Sequence, residues 1–197
     1  MQNPTTTSII LASSSSYRRK LLNRLLDNFV TVSPNIDESN DGTELPEYFT
    51  KRLARQKAET VSIAHYDSLI IGADQIAVLD DQIIGKPNDH QSAIEQLLTA
   101  SGKSLQFLTT VCVLEPIGQM RHEHIDRTTV LFQQFDLKLA EAYLKHDKPY
   151  DCTGSFKIEG AGFVLFKSVR TNDPTALIGL PMIWLAETLR RLGYLLP

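Results

Sequence analysis

Apolar residues lie along the chain in two patterns, short continuous runs and stretches where they recur every three or four residues, and the first half alternates between the two. Continuous runs bounded by polar or turn residues predict strands, and the wider spacing predicts helices with one apolar face. Ser8 to Ala12 is the first run, the serines 13–16 form a polar turn, and Tyr17 to Leu26 carries Leu21, Leu22, Leu25 and Leu26 at helical spacing. Phe29 to Val32 predicts a second strand leading into the loop SPNIDESNDG. A long helix is then predicted from about Pro46 to His65, proline being tolerated in a first turn. After this β-α-β-α opening comes SLIIGADQIAVLDDQIIGKP, apolar runs interrupted by Gly72, Asp74 and Asp80-Asp81, and then a helix after Asn88-Asp89 toward Ala100. Ser104 to Leu114 and Glu123 to Phe135 read as long extended segments joined around Pro116-Ile117-Gly118, and Lys138 to Lys145 reads as a helix. Glycine-marked turns (CTGS, IEGAG, IGLP) surround the apolar run Phe163 to Val169, and a helix from Pro181 to Leu192 closes the chain. With no linker, repeat or low-complexity tract beyond SSSS, the pattern predicts an α/β fold with a mixed sheet in one unit over residues 1–197.

Composition narrows the function classes. The 197 residues are ample for a sizeable apolar core, and a net charge of -3 gives no basic bias toward nucleic acid, so any phosphate site must be local. Cys112 and Cys152 stand in contexts (TTVCVLE, YDCTGS) unlike a metal knuckle or a disulfide framework, which fits a reducing compartment. The N-terminus lacks a basic region, its run IILA is too short for a signal peptide, and no membrane-length run follows. A cytoplasmic protein without membrane or nucleic-acid partners is expected; a homodimer is compatible with the sequence.

Five places could carry chemistry. Ser13 to Arg19 is a serine-rich turn entering a helix, where N–H groups, hydroxyls and the cations Arg18 and Arg19 could meet an anion; the plain alternative is an N-cap with a solvated basic face. Asp74 follows an apolar run just past Gly72, a strand-end position from which a carboxylate could bind a metal or deprotonate water, or simply close a turn. Lys57 in RLARQKAE and Lys86 in IIGKP could meet phosphate oxygens, with Lys86 held between Gly85 and Pro87, whereas a lone helical lysine such as Lys57 is ordinarily solvated. Lys157 and Glu159 lie in the glycine-bounded SFKIEG, and Asp37 and Glu38 in the loop after the second strand. The five histidines show no zinc spacing, and neither GxxxxGK[ST] nor GxGxxG occurs.

Taken in order, ILASSSSYRRKLL, KRLARQKA, IIGADQIAVLDDQIIGKP, SGKSLQFLTTVCV, TGSFKIEGAG and IGLPMIWLAETLRRLG resemble the Maf-like nucleotide pyrophosphatases from about Ile9 to Gly193. Each block is short; their joint order and spacing make the match specific. The resemblance implies an elongated mixed-sheet α/β fold similar to the inosine triphosphate pyrophosphatases, with two lobes around a cleft and no separable linker. It also implies divalent-metal-dependent release of diphosphate from a nucleoside triphosphate, with magnesium or manganese as the metal. Carried over by position, Ser13, Arg18, Lys57 and Lys86 line the phosphate end, Glu38 and Asp74 hold the metal, and Asp74 is the catalytic base. Tyr17, Gln75 and Glu159 stand where the branch hydrolysing dTTP and UTP has Arg, Thr and Gln, and they match a branch acting on 7-methyl-GTP; Ser16 replaces the proline usual before the aromatic. The chemistry agrees with that branch. A tyrosine face attracts the cationic 7-methylguanine ring, and a carboxylate accepts both N1–H and N2–H of guanine, while Gln75 could donate to O6 or shape the pocket. Two rival expectations remain, a dTTP/UTP pyrophosphatase and a nucleotide-binding regulator of septum formation without turnover.

Overall fold

A computed structural model of the chain describes residues 7–40, 42–118 and 120–197. Residues 1–6, on which part of the leader-free reading falls, and residue 41 of the SPNIDESNDG loop lie outside the described residues.

Three strands form the buried centre of a seven-stranded mixed sheet: β1 (Ile9–Ala12), β3 (Leu69–Leu79) and β5 (Ser104–Leu114). Both faces of these strands are covered, so they read as continuous apolar runs rather than alternating ones. The order is β2-β1-β3-β5-β6-β7, with β2 at Val30–Val32, β6 at Arg121–Phe132 and β7 at Phe166–Arg170, while β4 (Gln82–Ile84) pairs with β3. β2 and β3 both run parallel to β1, which demands crossover helices, and α1 (Ser16–Leu22) and α2 (Pro46–Ser62) supply them. The remaining pairings are antiparallel. α3 (His90–Ala100), α4 (Leu137–Asp147) and α5 (Met182–Arg191) complete the fold, α3 and α4 being capped by the side chains of Asp89 and Asp136. No helix among the described residues is long and apolar enough to cross a membrane.

Four boundaries differ from the sequence pattern, each for a local reason. α1 stops at Leu22, beyond which the chain tightens to i→i−3 bonds, Arg24 N to the Leu21 carbonyl and Leu25 N to the Leu22 carbonyl, and Leu25 and Leu26 join the core from that turn. The interruption at Gly72 and Asp74 does not break the strand: β3 runs unbroken through both, so Asp74 lies in mid-strand rather than at a strand end. Only Asp80-Asp81 is a turn, with φ of 48° and 64° as a tight hairpin requires. β6 starts at Arg121 and ends at a register shift near Phe132, and the run Phe163 to Val169 splits into a short 3₁₀ turn, Gly162–Leu165, followed by β7.

The buried side chains divide the sheet lengthwise. Leu69, Ile71 and Ala73 of β3 and Val111 and Val113 of β5 pack with α1 and α5, whereas Ala77, Leu79, Leu105 and Phe107 pack with α3 and α4. α2 covers the opposite face of the first unit through Ala54, Ala58 and Val61. Asp74 and Gln75 on β3, with Thr109 and Thr110 opposite them on β5, fall where one core gives way to the other.

Candidate active site

A cavity of about 500 Å³ opens at this changeover. Its floor follows from the approach of α2 to β3. A Cβ on Gly72 would collide with the Ala54 carbonyl oxygen and lie 2.8 Å from the Ala58 nitrogen, so only glycine lets the helix this close. The neighbouring Lys57 is thereby carried over the strand, and its Nζ stands 2.6 Å from Asp74 Oδ1 and 2.9 Å from Glu38 Oε1. Asp74 and Lys57 are each only 5% exposed. Burial pushes the Asp74 carboxyl above the usual carboxylate range; Lys57 and Arg18 pull it back and Glu38 adds to the rise, leaving it raised. A carboxylate in this state is a better proton acceptor than a solvated one.

The second wall is the serine turn and α1. Ser15 is the N-cap, its Oγ accepting from Arg18 N at 3.3 Å, and the buried Ser13 Oγ accepts from Ser15 N at 3.1 Å and from Arg18 Nη1 at 3.5 Å. That leaves the Ser13 hydroxyl proton free to donate. Arg18 Nε donates to the Gly179 carbonyl at 3.1 Å, and Gly179 has φ of 130°, which a residue with a side chain rarely adopts, while a Cβ there would press on Arg18 at 3.3 Å. The guanidinium is thus held in one place. Burial lowers its pKa, Asp74 and Glu38 oppose that, and arginine's high ordinary value keeps it cationic. Lys86 lies exposed at the cavity wall with no hydrogen bond or ion pair from its amine among the described residues.

Tyr17, Gln75 and Glu159 line the same cavity. The Gln75 side-chain nitrogen donates to the carbonyls of Ala176 and Leu177, at 2.9 and 3.1 Å, and meets Thr109 Oγ1 at 3.0 Å. Its N–H groups are spent inside the protein, so of its two expected roles donation to a base is closed and shaping the wall remains. Glu159 is exposed and carries no cation partner among the described residues. Tyr17 Oη donates to Asp151 at 3.2 and 3.4 Å. The nine residues to which the resemblance gives roles therefore line one cavity, although they come from six separate stretches of chain. Asp37 does not join them; its carboxylate accepts from Ser39 N and Oγ within its own loop. The histidines also stay outside: His90, His122 and His146 bond to Tyr150, Glu115 and Asp147, and His124 stacks on Trp184.

Sequence reasoning missed Asp151 and Gly179. Gly179 was visible only as part of a turn, and Asp151 only as a neighbour of Cys152. Lys157, which drew attention beside Glu159, lines the cavity with its Nζ donating to the Asp147 carbonyl at 3.1 Å.

Among the described residues no group of three or more His, Cys, Asp or Glu side chains could by itself hold a metal. Glu38 and Asp74 nevertheless converge on one cation, the Lys57 ammonium. Two carboxylates with further oxygens from bound phosphates are the donor set magnesium and manganese take at phosphate sites, so the residues present fit such an ion.

A sequence model described as "Maf-like protein" matches residues 8–192. A protein named 7-methyl-GTP pyrophosphatase from Pseudomonas syringae pv. syringae is 47% identical, over 96% of this chain and 99% of its own length. Proteins of the same name from Alcanivorax borkumensis and Cupriavidus metallidurans are 44% and 43% identical, over 100% and 98% of this chain and 98% of their own lengths. Among solved structures, the Staphylococcus aureus Ham1 protein overlays 79% of this chain and 90% of its own, with a TM-score of 0.47 and 14% identity.

Proposed function

The chain belongs to the Maf-like family, and on that premise we propose that it hydrolyses 7-methyl-GTP to 7-methyl-GMP and diphosphate, removing a modified nucleotide from the pool. The observation that carries the reaction class is the buried Asp74, ion-paired to Lys57 and facing Arg18 and Ser13 across one cavity. The shared name of the relatives supports the substrate.

Cleavage between the α and β phosphates needs a base for water and positive charge around the departing diphosphate. Asp74 takes the proton as the water oxygen attacks the α-phosphorus in line, and the bond to the β-phosphate oxygen breaks. Arg18, Lys57 and Lys86 hold the phosphate oxygens, and Ser13 donates its hydroxyl proton to one of them. Magnesium or manganese held by Glu38 and Asp74 would neutralise phosphate charge. As the phosphates arrive, Lys57 exchanges part of its contact with Asp74 for phosphate, which returns basicity to the carboxylate. At the other end the Tyr17 face receives the purine, Glu159 accepts its N1–H and N2–H, and Gln75 fixes the wall behind them. With Cys112 and Cys152 both free, the reading also assigns the enzyme to the cytoplasm.

Diphosphate release from 7-methyl-GTP, GTP, dTTP and UTP, measured with magnesium and with manganese, tests the proposal. The expected result is the highest kcat/KM for 7-methyl-GTP and none without metal. Preference for dTTP or UTP would remove the substrate assignment, and no diphosphate from any triphosphate would remove the reaction.

A further inference from the structure

We infer that Asp151 is a further specificity-determining residue, a carboxylate placed beside the purine so that the cavity selects a cationic base over a neutral one. The inference rests on the 7-methyl-GTP reading above. Asp151 belongs to the loop after α4 and Tyr17 to α1, 134 residues earlier, yet both line the same cavity. Tyr17 Oη donates to both carboxylate oxygens, at 3.2 and 3.4 Å, so the ring and the charge are held together.

The charges around the cavity are not evenly matched. Glu38 and Asp74 share the Lys57 ammonium, whereas Asp151 makes no ion pair among the described residues. Lys157, a cation on the same wall, makes no ion pair with Asp151; its Nζ donates to the Asp147 carbonyl. Cys152, whose Sγ is 3.6 Å from Tyr17 Oη, has its thiol pushed up to about 11 by burial and is therefore neutral. Asp151 is thus the single charge of the Asp151, Cys152 and Tyr17 group. A carboxylate without a cation partner gains a charge–charge attraction from a positively charged ring that neutral guanine, thymine or uracil does not supply.

The decisive comparison is between 7-methyl-GTP and 7-methyl-7-deaza-GTP, a neutral analogue that keeps the methyl group in place. The ratio of their kcat/KM values should favour the charged substrate in the wild type and fall about tenfold in Asp151→Asn, which keeps an acceptor for the Tyr17 hydroxyl and removes the charge. A general loss of activity from a disturbed loop would lower both values together and leave the ratio unmoved. If the ratio in Asp151→Asn equals the wild-type ratio while the wild type still prefers 7-methyl-GTP to GTP, dTTP and UTP, Asp151 is not a determinant and the substrate reading stands. If the wild type prefers one of those three to 7-methyl-GTP, both fall together.

Discussion

The two ends of the cavity are built differently. At the Asp74 end the groups sit on a central strand and a long helix, buried and ion-paired, and their spacing is set by a glycine contact between α2 and β3. At the Glu159 end Asp151 and Glu159 sit in loops, exposed, and neither has a cation partner among the described residues. The contrast separates reaction from selection. Bond cleavage tolerates little displacement of the general base, so Asp74 is placed where packing fixes position, while the two carboxylates that face the purine, Asp151 and Glu159, lie where substitution leaves the sheet undisturbed.

Substitutions at the two ends should therefore fail in different ways. Asp74→Asn should keep the fold and slow hydrolysis by roughly 10²–10⁴-fold, since the amide matches the carboxylate in shape but takes no proton. Single-turnover diphosphate release checks this, and a rate within tenfold of wild type would remove Asp74 as the base. The wild-type pH profile sharpens the same point. The base works deprotonated and its pKa is raised, so activity should be lost as pH falls through a value above the ordinary ~4 of a solvated Asp.

Lys57→Met leaves Asp74 buried without its partner, which should lower stability by about 3–5 kcal/mol in urea unfolding and push the acid limb of the profile higher still. A stability equal to wild type would show that the pair is not what holds the floor. Lys86→Ala, at an exposed position, should leave unfolding untouched and reduce kcat/KM by the equivalent of about 1.5–3 kcal/mol for one charge-assisted contact. Unchanged kinetics would return Lys86 to the solvated surface. The smallest effect belongs to Glu159→Gln, with stability within about 0.5 kcal/mol of wild type and a loss of about 1–3 kcal/mol in preference for 7-methyl-GTP over UTP. Equal preference in variant and wild type would detach Glu159 from the purine.

Much of this was legible in one dimension. Apolar runs locate β1, β3 and β5 because both faces of those strands are buried, and helical spacing locates α2 and α3 because one face of each is buried. The ordered blocks from ILASSSSYRRKLL to IGLPMIWLAETLRRLG identify the family and name residues that share a cavity, since residue type and order survive in the sequence itself. What one dimension could not hold is the state of each group. Asp74 reads as a polar break at a strand end because a lone carboxylate is not expected inside a strand; only the approach of Lys57, permitted by Gly72, makes mid-strand burial tolerable. Gln75 reads as a free donor until the loop at Ala176 and Leu177 folds over it and takes its N–H groups. Asp151 carries no local signal at all, because its meaning lies in a tyrosine 134 residues away and in having no ion-pair partner among the described residues. Patterns of burial and order are properties of neighbours in sequence, and the chain determined them alone; hydrogen-bond occupancy, charge pairing and pKa depend on neighbours in space, and only the folded structure decides those.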